Sequence, residues 1–260
     1  MKRKLIKAAC ALVAMSLLIK ILCSECSAAE SKSWYIKRNG GATPGFPSDA
    51  DELDSYDCYY LDKTAAKNGE KVIYLTFDAG YENGNIEKIL DTLRDESVTG
   101  AFFILDNLIY KNVNLLRRME SEGHTVANHT ASHKNLCNCS YDEIRGEVEA
   151  LSRLYEERVG AEMSKFFRFP EGKYSLDAVK CISELGYKTV FWSFGYEDWD
   201  NGKQPDREYA KSKILSNTHP GAVILLHPTS ATNREILPEL IREWRALGYR
   251  FGTLDELCES

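Results

Sequence analysis

Residues 72–96 read VIYLTFDAGYENGNIEKILDTLRDE. Val72–Phe77 is an apolar run interrupted only by Thr76, bounded by Asp78 and Gly80, and its length suits a strand buried on both faces. Downstream, Ile86, Ile89, Leu90 and Leu93 recur at the three- and four-residue spacing of one helix face, which predicts an amphipathic helix over 85–96. A buried strand followed at once by an amphipathic helix is the building unit of a parallel sheet.

The unit repeats along the chain. Strands are expected at Gly100–Leu105, Thr125–Asn128, Phe166–Phe169, Thr189–Phe194, Ala222–Leu226 and Phe251–Thr253. Helices are expected at Asn112–Glu122, Tyr141–Val159, Leu176–Leu185, Arg207–Ser216 and Arg234–Leu247, several closed by a glycine. Six or seven such units imply an α/β fold on a parallel sheet, open or closed into a barrel. No internal repeat is present. Residues 30–70, rich in Tyr, Asp, Gly and Pro, break the pattern and read as an N-terminal extension, either packed on the domain or a linker.

The first 29 residues have the plan of an export signal. Lys2, Arg3, Lys4 and Lys7 make a basic start, Ala8–Ile19 an apolar run, and Ser27-Ala28-Ala29 a small-residue cleavage site. The apolar run is shorter than the roughly 20 residues of a membrane-spanning helix. The expected location is therefore outside the cytoplasm, with a membrane anchor if the segment stays attached. Residues 1–29 carry five basic residues and one acid, so their removal takes the net charge from −6 to −10. An acidic exported chain is a poor candidate for nucleic-acid binding. Of eight cysteines, Cys10, Cys23 and Cys26 lie in this segment. Five remain, an odd number, and Cys58 with Cys258 is the pairing that would join the two ends of the domain, although spacing fixes no bond.

Polar residues gather where parallel α/β folds do chemistry, just past the strands' C-terminal ends. Asp78 follows the first strand, His129 and His133 the third, Arg168 ends the fourth, Asp198 and Asp200 follow the fifth, and His227 the sixth. His129 and His133, four apart, would share a face of a helical turn and could hold a metal, or could lie on a solvated face. His227 at a strand mouth suits a general acid or a satisfied core residue. Asp78 could cap a turn or be aimed into a pocket by a tight turn at Gly80, and Arg168 is a natural partner for a buried carboxylate. Trp192 and Trp199 suit either the core or a sugar-stacking wall. His124 and His219 read as loop residues without a role.

In order, TFDAG (76–80), HTASH (129–133), RFPEG (168–172), DWD (198–200) and LLH (225–227) resemble the five motifs of the NodB-homology polysaccharide deacetylases, over about residues 70–257. TFDAGYENGN, FWSFGYEDWD and HPGAVILLH are similar to one branch, the delta-lactam-biosynthetic muramic-acid de-N-acetylases. The resemblance implies a distorted (β/α) barrel over residues 71–258 and a divalent metal, usually zinc. It also implies a substrate of peptidoglycan glycan strands whose muramic acid has lost its peptide to an amidase acting upstream. The freed amine would close on the lactyl carboxylate to give muramic-δ-lactam in spore cortex.

Carried across, the family makes Asp78 the general base, oriented by Arg168. It makes His129 and His133 the metal ligands, and His227 the general acid paired with Asp198. Leu225 would hold the acetyl methyl, and the backbone N–H of Glu171 would face the oxyanion. Trp199 and Lys173 join the substrate-binding candidates, Lys173 as a substitute cation. Three positions depart from the pattern. Ala79 stands where most members carry a metal-binding Asp, a change the delta-lactam branch shares. Glu171 stands where muramic-acid enzymes are expected to carry Arg, and Lys134 where a Pro usually follows the second histidine. Glu171 keeps open a deacetylase of N-acetylglucosamine in peptidoglycan or chitin-like chains. Ala79 keeps open a wall-binding protein with weak chemistry, which the retained acid and base oppose.

Overall fold

The computed structural model describes residues 30–260, so the leader expected at 1–29, with its three cysteines, lies outside the described residues. Short strands β1 (Lys32–Ser33), β2 (Lys37–Asn39), β3 (Ala42–Gly45) and β4 (Cys58–Tyr59) come first. The long β5 (Val72–Ala79) is followed by β6 (Ala101–Ile104), β7 (Thr125–Asn128), β8 (Phe166–Phe167) and β9 (Lys173–Tyr174). The last three are β10 (Lys188–Val190), β11 (Ala222–Leu226) and β12 (Arg250–Gly252).

The main sheet runs β11-β5-β6-β7-β8-β10-β4 with every pairing parallel, and β12 lies parallel beside the start of β5. Past β10, Phe194 bridges to Ile224 of β11, and past β4, Leu61 bridges to Ala222. One edge of the sheet thus returns to the other, and the sheet curls into a distorted barrel, as expected. Every residue of β5 is buried except Asp78, the one charged group in it. This is the strand composition that a parallel sheet covered on both faces demands.

Helices cover the sheet where periodicity placed them. Ile86–Asp95 buries Ile86, Ile89, Leu90 and Leu93. Tyr141–Val159 opens with a reciprocal capping box between Ser140 and Glu143 and ends at Gly160 in the left-handed region. Two helices start earlier than expected. Asp106–Ser121 begins six residues before Asn112, whose backbone (φ −138°, ψ 39°) interrupts the helical period. Ala231–Ala246 begins at the cap Ser230, ahead of the apolar residues that marked it. The ladder of β10 stops at Val190, because Ser193 and Phe194 donate their N–H groups to Val223 and so cross toward β11.

Residues 31–62 are joined to the barrel at several points. β4 is a strand of the main sheet, and β1 pairs antiparallel with β9. Asp62 caps the helix Lys63–Asn68 and accepts a 2.8 Å hydrogen bond from Tyr74 of β5. Trp34 is buried, stacks on Phe191 at 4.5 Å, and donates its indole N–H to the carbonyl of Trp192 at 2.8 Å. Gly172 (φ +64°) makes room for it, since a Cβ there would lie 2.7 Å from Trp192 and 3.1 Å from Trp34.

All five described cysteines are free thiols, so the bridge between Cys58 and Cys258 is not formed. Cys258 packs in the same cluster as Tyr59, whereas Cys58 lies in another. Neighbours on a strand point to opposite faces, and this separates the two sulfurs. His124 and His219 lie between elements, as expected, and both are buried there.

Trp34→Ala should lower stability by about 3–5 kcal/mol, the cost of deleting a buried aromatic, read as a fall in the urea midpoint. An unchanged midpoint would show that the extension only rests on the barrel.

Candidate active site

Asp78 sits at the exit of β5, paired in register with Phe103 of β6. Beneath it lies Arg168, fully buried just past β8. Arg168 donates from Nη1 to Asp78 Oδ1 at 2.8 Å, from Nε to the Val190 carbonyl at 2.8 Å, and from Nη2 to Thr76 Oγ1 at 3.0 Å. Its guanidinium carbon lies 4.1 Å from the centre of the Phe103 ring. Thr76 passes the network on by donating to the Ile224 carbonyl at 2.8 Å. Burial opposes ionisation of Asp78, yet the surrounding groups, the Arg168 guanidinium foremost and then His129 and His227, together hold the carboxyl below the usual carboxylate range. Gly80 is not in a left-handed turn; a Cβ there would lie 2.9 Å from Leu105 Cδ1, so a larger residue would have to turn that side chain aside.

His129 and His133 are brought together by an irregular loop, not by the helical turn that their spacing suggested. Thr130 (φ +68°) and His133 (φ +60°) both occupy the left-handed region. Side chains hold this loop: Asn128 Oδ1 accepts from Thr130 N at 2.9 Å, and Ser132 binds Glu147 through its N–H and its hydroxyl at 3.0 Å. The two imidazole centres are 5.1 Å apart. His129 Nδ1 lies 2.8 Å from the Arg168 carbonyl and must be the donor, which leaves Nε2 with a lone pair 3.6 Å from Asp78 Oδ2. Burial pushes the His129 pKa down to about 4, so the ring is neutral near neutrality. Among the described residues no three His, Cys, Asp or Glu side chains close into a metal-holding group. What converges is two imidazoles and a carboxylate already tied to Arg168.

Across the cleft, His227 follows β11. Its Nδ1 is 2.7 Å from Asp198 Oδ1, and its backbone N–H donates to Asp198 Oδ2 at 2.8 Å. Asp198 is buried and also accepts from Asn233, which donates to the His227 carbonyl at 3.1 Å and is itself bonded by the Tyr196 hydroxyl. Burial works against the imidazolium, but the Asp198 carboxylate prevails and raises the His227 pKa above its ordinary value. With Nδ1 engaged, Nε2 is the nitrogen left for a ligand.

These groups open into one cleft of about 840 Å³. Asp78, His129, His133, Glu171, Leu225, Trp199 and His227 line it, while Arg168 and Asp198 stand behind the wall. Lys173 does not line it and forms an ion pair with Glu171, which lowers the Glu171 pKa. Glu171 is held in the left-handed region (φ +57°). Asp200 is exposed and accepts from Gly202 N in its own turn. Nothing in the residue pattern marks Asn233, which looks like any residue in a first helical turn, nor Tyr35, Ile36 and Arg38, which the extension adds to the cleft. Three exposed aromatics, Tyr35, Tyr81 and Trp199, stand at the cleft from three separate segments.

A curled parallel sheet with charged and imidazole groups gathered past its strand ends has the architecture of an enzyme. The comparisons with known proteins agree. A family model described as polysaccharide deacetylase matches residues 65–190. The peptidoglycan-N-acetylmuramic acid deacetylase PdaA of Bacillus subtilis is 35% identical over 258 residues, covering 92% of this chain and 96% of the relative. A peptidoglycan-N-acetylglucosamine deacetylase of Bacillus cereus is 34% identical over 200 residues, covering 73% of this chain and 89% of the relative. The solved structure of Bacillus subtilis PdaA, a family 4 carbohydrate esterase, superposes with a TM-score of 0.82 over 88% of this chain and 97% of that one. The chain belongs to the polysaccharide deacetylase family.

Arg168→Met should strand a buried carboxylate and cost about 3–5 kcal/mol. In an Asp78→Asn background the same change should cost less, because no unpaired charge remains. Chemical denaturation of the four proteins checks this, and equal losses in both backgrounds would mean that the pair is not coupled.

Proposed function

We propose that this protein hydrolyses the N-acetyl group of N-acetylmuramic acid in exported peptidoglycan whose peptide an amidase has already removed. The observation that carries the chemistry is a matched pair of opposite shifts facing one cleft. Arg168 favours the charged form of Asp78, and Asp198 favours the protonated form of His227. The choice of sugar is supported by the likeness to the Bacillus subtilis muramic-acid enzyme over nearly the whole of both chains.

Two of the cleft's groups, His129 and His133, are donors of the kind a divalent metal takes. His129 presents a neutral Nε2 lone pair fixed by its Nδ1 partner, and His133 faces it, with Asp78 alongside. His129 and His133 would hold the ion, zinc by resemblance to the family, and when bound it would polarise the acetyl carbonyl and make water more acidic.

The protein's own groups do the rest. Asp78 takes a proton from the attacking water as the new carbon–oxygen bond forms. The backbone N–H of Glu171 faces the developing oxyanion. His227 gives its Nε2 proton to the sugar nitrogen, the carbon–nitrogen bond breaks, and acetate and a free amine leave. The amine lies beside the lactyl carboxylate of the same sugar, and their condensation gives the muramic-δ-lactam of spore cortex. Leu225 offers an apolar contact for the acetyl methyl, and the aromatics at the cleft suit stacking on sugar rings.

One observation favours a second reading. Glu171 lines the cleft as an anion, which suits N-acetylglucosamine, the sugar named for the Bacillus cereus relative. Mass spectrometry of peptide-stripped peptidoglycan, treated with the purified protein with and without zinc, separates the two. Loss of acetyl from muramic acid, reduced at least about 100-fold in Asp78→Asn, is the expected result. Loss from glucosamine alone would move the substrate, and no loss with any metal from a folded protein would contradict the chemistry.

A further inference from the structure

Among the described residues that line the cleft, Arg38 is the only lysine or arginine. It stands on β2, in the hairpin that follows buried Trp34. Its Nη2 donates to the Gly195 carbonyl at 2.7 Å, and its guanidinium carbon lies 6.0 Å from the centre of the Phe194 ring. It is exposed, and among the described residues no carboxylate forms an ion pair with it. A guanidinium has five N–H donors, so most of Arg38's are left for a ligand. The other nearby cation, Lys173, is taken by Glu171 and does not line the cleft.

Its anchor fixes where it stands. A Cβ built on Gly195 would lie 3.7 Å from Leu225 Cβ, so the residue that holds Arg38 packs directly against the candidate acetyl-methyl contact. In muramic acid the acetamido group is on C2 and the lactyl ether on O3, the neighbouring position. A group that binds the lactyl carboxylate must therefore stand close to the acetyl site. We infer that Arg38 binds the free lactyl carboxylate of muramic acid, an inference that rests on the muramic-acid reading above. A planar fork of N–H donors matches a carboxylate in a way that a lysine does not. The cleft also holds Glu171 and Glu197, which raise the need for a cation if an anionic sugar is to enter. Arg38 would make the enzyme select for prior peptide removal, because a peptide-bearing lactyl group is a neutral amide, and would disfavour glucosamine, which has no lactyl group.

The test compares two muramic-acid oligomers, one with the free lactyl carboxylate and one with it capped as a methylamide. The wild-type protein should prefer the free carboxylate by about 10- to 100-fold in kcat/KM. In Arg38→Gln that preference should collapse through a higher KM with kcat largely kept, and Arg38→Lys should restore part of it. Melting curves establish that each variant is folded. A folded Arg38→Gln protein that keeps the wild-type preference would overturn the assignment and leave the muramic-acid reading standing. Wild-type protein that deacetylates only glucosamine would overturn both.

Discussion

The ion pair between Arg168 and Asp78 is the constraint around which the site is arranged. A guanidinium taken wholly out of water is costly unless nearly every donor finds an acceptor. Arg168 meets that demand with Asp78 and Thr76 on β5 and the Val190 carbonyl on β10, while Thr76 reaches Ile224 on β11. The network thus ties together strands from both sides of the curled sheet, and it must form whole for Asp78 to sit charged at the mouth. The same residue accepts from His129 through its backbone carbonyl, so the orientation of the imidazole and the charge of the carboxylate depend on one buried residue, the first through its main chain and the second through its guanidinium.

The opposite wall uses the same device with the charges reversed. There the buried member is the carboxylate, Asp198, and the cleft-facing member is the imidazole, His227. Asn233 and the backbone of His227 supply the remaining donors that a buried carboxylate needs. A cleft with one wall held anionic and the other cationic is organised for proton transfer in one direction, from water to amine. The proposed chemistry uses that direction.

Much of this was legible from the residues alone, and the reason is topological. A parallel sheet puts its polar exceptions at strand ends, so Asp78, Arg168 and His227 stand out against the apolar runs that precede them. The barrel strands could be read because burial on both faces leaves an unbroken apolar signature. What stayed hidden depends on contacts between distant segments. Asn233 meets Asp198 across 35 residues, and Arg38 meets Gly195 across 157. The histidine pair was found by a spacing that suggested a helix, although left-handed residues in a loop bring the rings together. Strand alternation, invisible to cysteine spacing, separates Cys58 from Cys258.

The central claim is that two buried partners hold Asp78 and His227 in opposite protonation states at the same pH. The most direct measurement is the pH dependence of kcat/KM for deacetylation by the wild type and by Asp198→Asn. The His227 pKa is raised by Asp198, so activity that needs the imidazolium should persist below that raised value and fall as pH climbs through it. Removing the carboxylate should shift this alkaline limb to lower pH. An alkaline limb that stays in place in a folded Asp198→Asn protein would contradict the account.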